Sequence, residues 1–347
     1  MDHVETYLSA FKPQIEQLRD IITNHESFLI VGHSNPDGDC YGSLLSMGRR
    51  LQRQGKQVSY LVAAKKLGAF SFVVGVDDVP ARDNGVHSIP DSQVVLFLDL
   101  CMIKRLSGLE IPLFAKQSTI FCCIDHHVQT QTFTSCDIVD TQSSSCCELI
   151  WELICYFDPN HTYIDDQIAW YCLLGTMTDT GDGAWFEHEK NSVRTFENAL
   201  SMLQAGATKR KSHYVDNLRD VPMGLIQFTQ LLWSRVAVMN NLVRTRYKDS
   251  EYEQYGLESE QAKWWFDVLK RTNAKDMYVR VVQYDNQRYV SMRSRGTINA
   301  RLIAEHFGGG GHDRAAACSV WSDTSIDHII HEIDALIQQQ LSSSQPL

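Results

Sequence analysis

The chain has 347 residues, longer than one ordinary domain, which argues for two. Its 44% hydrophobic and 21% charged content is that of a globular protein, and no run approaches the apolar length of a membrane span. A net charge of −10 argues against a general nucleic-acid coat, whose affinity would come from many phosphate contacts, yet leaves room for one small phosphorylated ligand held by cations and local arginines. The start, MDHVETYLSAFKPQIEQL, lacks the basic and apolar regions of a signal peptide, so a cytoplasmic location is expected. The ten cysteines are isolated or in adjacent pairs (Cys122-Cys123, Cys146-Cys147), with no C-x-x-C, and read as small buried thiols rather than a zinc or disulfide framework.

In chain order, Ser27 to Val31 (SFLIV) reads as a buried strand running into the turn-rich HSNPDGD. Leu44, Leu45, Met47, Arg50 and Leu51 suggest a helix ended near Gly55, and Val58 to Ala63 a second strand. Val94 to Asp99 and Thr119 to Asp125 are further apolar runs, each ending on an aspartate. This rhythm predicts an α/β fold with a parallel sheet, in which ligands bind at the carboxyl ends of strands. From Glu148 to about Gly206 the pattern is mostly helical, with IAWYCLLG leading into TMTDTGDG. The polar ATKRKSHYVDN that follows reads as a linker or a surface helix. Beyond it, Arg235 to Tyr247 reads as a strand and Met277 to Arg293 as a hairpin around Asp285-Asn286. A helix from about Asn299 to Phe307 ends in GGGGHDRAAAC, and a closing helix covers about Ser325 to Leu341.

Four clusters carry chemistry. His33, Asp37 and Asp39 share one loop, and imidazole with hard carboxylate oxygens suits Mn²⁺ or Mg²⁺, although Asp-Gly is also a common turn signal. Asp99 ends an apolar run, where an aspartate is often only a helix cap; Arg105, six residues on, could neutralise it or reach a phosphate. Asp125-His126-His127 ends another such run. Asp179 sits in TMTDTGDG, with Asp182 a weaker choice further into the loop. Each signal is weak alone, but all four are expected at the carboxyl ends of strands, and together they supply enough donors for two metal ions sharing a carboxylate. A fifth cluster joins SMRSRG to GGGGHDR: the glycine N–H groups could form an anion nest, with Arg293, Arg295, His312 and Arg314 as charged donors.

HSNPDGDCYGS, VLFLDL, IDHH and TMTDTG, in order and at suitable spacing, resemble the four motifs of the DHH phosphoesterases. SMRSRG with AEHFGGGGHDRAAAC resembles the glycine-rich signature of the associated C-terminal domain, so the resemblance spans about residues 25 to 320. It is closest to the short bacterial members: nanoRNases, pAp phosphatases and stand-alone cyclic-dinucleotide phosphodiesterases. The resemblance implies a parallel-sheet catalytic domain over 1–206, a linker over 207–230 and a smaller α/β substrate-binding domain over 231–341, with the active site in the cleft between them. It implies His33, Asp37 and Asp99 on one metal, and Asp39, Asp99, His126 and Asp179 on the other. Asp125 would orient its neighbours and His127 would face the scissile phosphate, with Arg105 nearby. Arg293, Gly309, Gly310, Gly311 and His312 would grip a second phosphate or nucleotide, and Ser294, Arg295 and Arg314 beside them are further substrate-binding candidates. DLCMIKR after Asp99 and GDGAWF after Asp179 depart from the family pattern and bear on substrate choice.

The activity implied is in-line hydrolysis of phosphate esters in nanoRNA, pApA or pAp, by a hydroxide activated between two divalent ions, Mn²⁺ before Mg²⁺ or Co²⁺. Trp185, Phe186, Trp264 and Trp265 are candidates for base stacking or for core packing. Alternatives are a cyclic di-AMP phosphodiesterase, processive exonuclease work on longer strands, and a nucleotide sensor without catalysis; the last would be marked by a lost metal ligand, and none is lost. The family implies a homodimer and no membrane partner.

Overall fold

The structure, a computed structural model, describes residues 2–34, 36–62, 70–80, 89–106, 114, 119–128, 134–180, 192–210, 223–257, 266, 269, 272 and 275–343. They form two compact units, Met1–Arg219 and Asp220–Leu347.

The first unit is built on β1 (Ser27–Gly32), β2 (Gln57–Val62), β3 (Val94–Leu98), β4 (Ile120–Asp125) and β5 (Cys136–Val139). All are parallel, in the order β2-β1-β3-β4-β5. The continuous apolar runs of β1 and β3 follow from burial on both faces. Phe28 and Ile30 face one core, while Leu29 and Val31 face another with Val95, Phe97 and Leu106. Helix α1 (Asp2–Leu8), α2 (Lys12–Asn24), α3 (Gly38–Arg53), α4 (Cys146–Phe157), α5 (Asp166–Asp179) and α6 (Ser192–Gln204) supply the first of these cores. From β1 the chain steps outward to β2, then returns across β1 to β3. That reversal makes the carboxyl ends of β1 and β3 the switch point, where diverging loops leave a crevice.

Two glycines let α3 and α5 cross closely. A Cβ at Gly42 would lie 2.5 Å from the Tyr171 carbonyl oxygen, and one at Gly175 would lie 2.9 Å from Asp39 Oδ1. Helix α5 is buried from Gln167 to Thr176, which explains why its sequence shows no apolar stripe. Arg194 on α6, only 2% exposed, donates to both oxygens of Glu152 at 2.7 and 2.6 Å and to Asp140 Oδ2 at 2.6 Å. It thereby ties α4 and the loop after β5 to α6.

The second unit has a six-stranded mixed sheet, β10-β11-β9-β8-β7-β6. Its strands are β6 (Ala237–Met239), β7 (Leu242–Lys248), β8 (Met277–Gln283), β9 (Gln287–Ser294), β10 (Gly310–His312) and β11 (Ala315–Trp321). Its helices are α7 (Met223–Trp233), α8 (Ala300–His306) and α9 (Ile326–Ser343). Strands β7 and β8 are parallel and the other neighbours antiparallel. Met277, Val279 and Val281 pack with Ile303, Ile329 and Ile333, while Tyr278 and Val282 pack with Leu225 and Phe228 of α7.

Three expectations are corrected. Residues 223–230 of the expected linker are helix, because Leu225, Phe228 and Leu232 recur at helical spacing and bury one stripe. Ala207–Arg210 is a 3-10 turn whose Ala207 is buried in the first unit. The single strand expected over Arg235 to Tyr247 is a hairpin, with Met239 opposite Leu242 and a turn at Asn240-Asn241, where Asn240 has φ +47°.

Removing one partner of a buried ion pair strands the other charge. Arg194→Met is therefore expected to destabilise the chain by about 3–5 kcal/mol, read as a lowered urea midpoint.

Candidate metal centre

The loop after β1 places His33 behind the strand, and Asp37 caps α3 by accepting from the Cys40 N–H at 3.0 Å. Asp39 follows in the first turn of that helix, where the macrodipole favours a carboxylate. It also accepts from the N–H groups of Cys146 and Cys147 at 2.7 and 2.8 Å, so it sits against the N-terminus of α4 as well. Ser145 caps α4 by accepting from the Glu148 N–H at 2.9 Å, a Ser-x-x-Glu signal readable in the sequence. Asp99, just past β3, adopts φ +56°, a left-handed conformation rare outside glycine.

These residues converge. His33 Nε2 lies 3.0 Å from Asp99 Oδ2 and 4.0 Å from Asp37 Oδ1. His126 Nε2 lies 3.4 Å from Asp179 Oδ2, 3.7 Å from Asp39 Oδ2 and 3.9 Å from Asp99 Oδ1. Its Nδ1 faces the Ser143 carbonyl oxygen at 3.4 Å, which puts the proton on Nδ1 and leaves Nε2 as the acceptor. Ser143 is itself held by Glu148, which accepts from its hydroxyl at 3.0 Å and from the Ser144 N–H at 2.6 Å. These residues behind His126 were not picked out from the sequence; only the Ser145 cap left a signal there.

Asp125 Oδ1 accepts from the N–H groups of His126 and His127 at 2.6 and 3.1 Å and from His127 Nδ1 at 2.8 Å. Among the described residues no hydrogen bond is formed to Asp99 Oδ1, 3.3 Å from the same nitrogen, or to the buried Asp125 Oδ2. Asp179 corrects one expectation: it ends helix α5, not a strand. A carboxylate at a helix C-terminus opposes the macrodipole, so nothing local favours it there.

The charges explain what the cluster lacks. Burial, then the carboxylates of Asp99, Asp179 and Asp37, push Asp39 well above the usual carboxylate range. Burial would also raise Asp99, but His127 and His33 hold it well below that range. His127 is driven well up by Asp125 and Asp99 against its burial. Arg105 is raised because Asp99, Asp125 and Asp37 outweigh its burial; its Nη1 lies 3.4 Å from the Asp99 carbonyl oxygen and its own carbonyl accepts from the Ser34 N–H at 3.0 Å. A set of imidazoles and carboxylate oxygens, with buried oxygens left unserved, fits one or more divalent cations.

In the second unit the glycines do not form the expected four-residue nest. Gly308, with φ +73°, ends α8, donating to the Glu305 carbonyl at 2.9 Å while the Gly309 N–H donates to the Ala304 carbonyl at 2.8 Å. Gly310 and Gly311 open edge strand β10. Their small size serves close packing: a Cβ at Gly311 would meet the Ala315 carbonyl oxygen. Register places Arg293 and His312 on one sheet face, in the row Tyr278–Arg293–Ala315–His312. Ser294 is on the opposite face, its hydroxyl donating to the Asp313 carbonyl at 3.2 Å. Arg295 lies over the Tyr278 ring at 5.9 Å, and Arg314 Nη1 donates to the Ile298 carbonyl at 3.4 Å. Asp182, Trp185, Phe186, Trp264 and Trp265 lie outside the described residues.

Residues 27–176 match the DHH family, N-terminal domain, and residues 250–339 match the DHHA1 domain, together more than half of the chain. The chain belongs to the DHH phosphoesterases. Asp125, His126 and His127 lie within the matched residues of this DHH protein. The bifunctional oligoribonuclease and PAP phosphatase NrnA of Bacillus subtilis is 23% identical over 92% of this chain and 97% of its own length. Its counterpart in Thermus thermophilus is 24% identical over 90% of each. A crystal structure of an exopolyphosphatase-related protein from Bacteroides fragilis has the same fold, with a TM-score of 0.82 at 20% identity, over 94% of this chain and 96% of that one. Among the described residues no helix of this DHH protein is long and apolar enough to cross a membrane.

Asparagine tolerates a left-handed backbone, so Asp99→Asn removes charge while keeping φ. Changes to groups that merely orient metal ligands cost about 10- to 100-fold in affinity, and this central carboxylate is expected to cost more than about 100-fold in Mn²⁺ affinity by calorimetric titration, with the circular dichroism unchanged.

Proposed function

We propose that this chain hydrolyses phosphate esters of small nucleotides or very short oligonucleotides, using two divalent cations, with Mn²⁺ the expected ion. The observation that carries this is the convergence of His33, Asp37, Asp39, Asp99, His126 and Asp179, with distances of 3.0 to 4.0 Å linking them, at the switch point of a parallel sheet. The names of the two bacterial relatives point to oligoribonucleotides and pAp as the substrate class.

In this reading His33, Asp37 and Asp99 hold one cation, and Asp39, Asp99, His126 and Asp179 hold the other. The cations would neutralise phosphoryl oxygens and acidify a water molecule for in-line attack. The remaining steps belong to the chain. Asp125 fixes the His127 ring through Nδ1, so Nε2 is the atom that delivers a proton to the leaving oxygen. The raised basicity of His127 keeps that proton available near neutral pH. Arg105 offsets the negative charge of the cluster and would steady a phosphate. Arg293 and His312, on one face of the second sheet, with Arg295 and Arg314 near them, would bind the rest of the nucleotide. The same reading includes a homodimer, which light scattering would establish.

Product release from pAp, pApA, cyclic di-AMP, a five-residue RNA and pyrophosphate is the test, with Mn²⁺ present and with it chelated. Turnover of pAp or pApA is expected, abolished by chelation and lowered by about 100-fold or more in His127→Ala, the scale of a lost general acid. Bound Mn²⁺ and nucleotide without turnover of any substrate would instead mark a sensor.

A further inference from the structure

Arg280, in the middle of β8, is only 4% exposed. Burying a guanidinium is unfavourable unless a carboxylate pairs with it. Here Nη2 donates to Ser291 Oγ at 2.8 Å, Nε finds no acceptor, and no carboxylate pairs with it among the described residues. The run MYVRVVQ gives only one hint, a charge inside an otherwise apolar strand. Strand register shows its company. Thr245, Arg280, Ser291, Ala317 and Gly310 form one row across the sheet, beside the row that carries Arg293 and His312. Arg280 and Arg293 are thus diagonal neighbours on one face. Their guanidinium carbons lie 5.4 and 5.8 Å from the centre of the same ring, Phe266.

Two cations on one ring, one of them buried with no carboxylate partner among the described residues, make a poor structural element and a good receptor for an anion. We propose that Arg280 is a positioning residue of an anion subsite on this sheet face, in which Arg293 touches a phosphate of the nucleotide and Arg280 acts from beneath. It acts in two ways. A guanidinium has only donors, so Ser291 Oγ is its acceptor and the Ser291 proton is turned away from it. Its charge, poorly screened where it is buried, also raises the positive potential at Arg293. The resemblance implied a role for Arg293 but none for Arg280. This inference rests on the nucleotide phosphoesterase reading above.

The test compares the full-length chain with Arg280→Met and Arg280→Lys. With Mn²⁺ and pAp, Arg280→Met is expected to raise KM by about tenfold, with the loss falling on KM rather than kcat, and Arg280→Lys to recover most of it. Without ligand, the melting temperature of Arg280→Met is expected to equal or exceed that of the parent, since a stranded buried charge has been removed. A lowered melting temperature with KM unmoved would make Arg280 a structural residue, and a KM loss that Lys fails to recover would remove the charge argument. A separate arm without Mn²⁺ measures the rise in melting temperature caused by inorganic phosphate, expected in the parent and diminished in Arg280→Met. If the parent turns over no nucleotide, the hydrolase reading fails, and the phosphate arm still decides the subsite. Equal phosphate shifts in parent and Arg280→Met would overturn it.

Discussion

Like charges crowded out of water are the constraint on which the first unit depends. Asp39, Asp99 and Asp125 are buried, and Asp37 and Asp179 stand beside them. The arrangement is frustrated: burial and the neighbouring carboxylates push Asp39 up, while His127 and His33 hold Asp99 down and His127 holds Asp125 down against their burial. Positive φ at Asp99 and a carboxylate at the wrong end of α5 add local costs in the same place. Such costs survive only where the surrounding structure over-determines them.

The over-determination is visible in the packing. Two glycines bring α3 and α5 close enough for Asp39 to stand beside Asp179, and the N-terminus of α4 offers Asp39 two N–H groups. Behind His126, whose Nδ1 faces the Ser143 carbonyl, Glu148 accepts from the Ser143 hydroxyl, and Asn198 and Arg194 extend the same buried polar network through Glu152 to Asp140. The candidate metal site therefore draws on more than its would-be ligands, reaching residues on α4 and α6 that would never touch an ion.

The second unit solves a different problem with similar means. Its glycine run is spent on ending α8 and on letting β10 approach β11, which leaves side chains on the sheet face as the donors of the proposed anion subsite. There too the unfavourable feature, a buried arginine with no carboxylate among the described residues, coincides with the proposed subsite.

Much of this was legible in the sequence, for physical reasons. Apolar runs ending in Asp99 and Asp125 fix parallel strands with polar residues at their carboxyl ends, because a run apolar on both faces must be buried on both faces. Local turn and cap chemistry likewise marked His33 to Asp39, Asn299 and the end of α8 at Gly308. What no local pattern carries is distance between segments far apart in the chain. The approach of Asp179 from a helix end, the bonds from Cys146 and Cys147 to Asp39, and the pairing of Arg280 with Ser291 depend on which elements pack side by side. The sequence by itself determined which residues carry charge and where strands and helices start; only the tertiary structure decided which charges must share a dry space, because burial and neighbourhood are properties of packing.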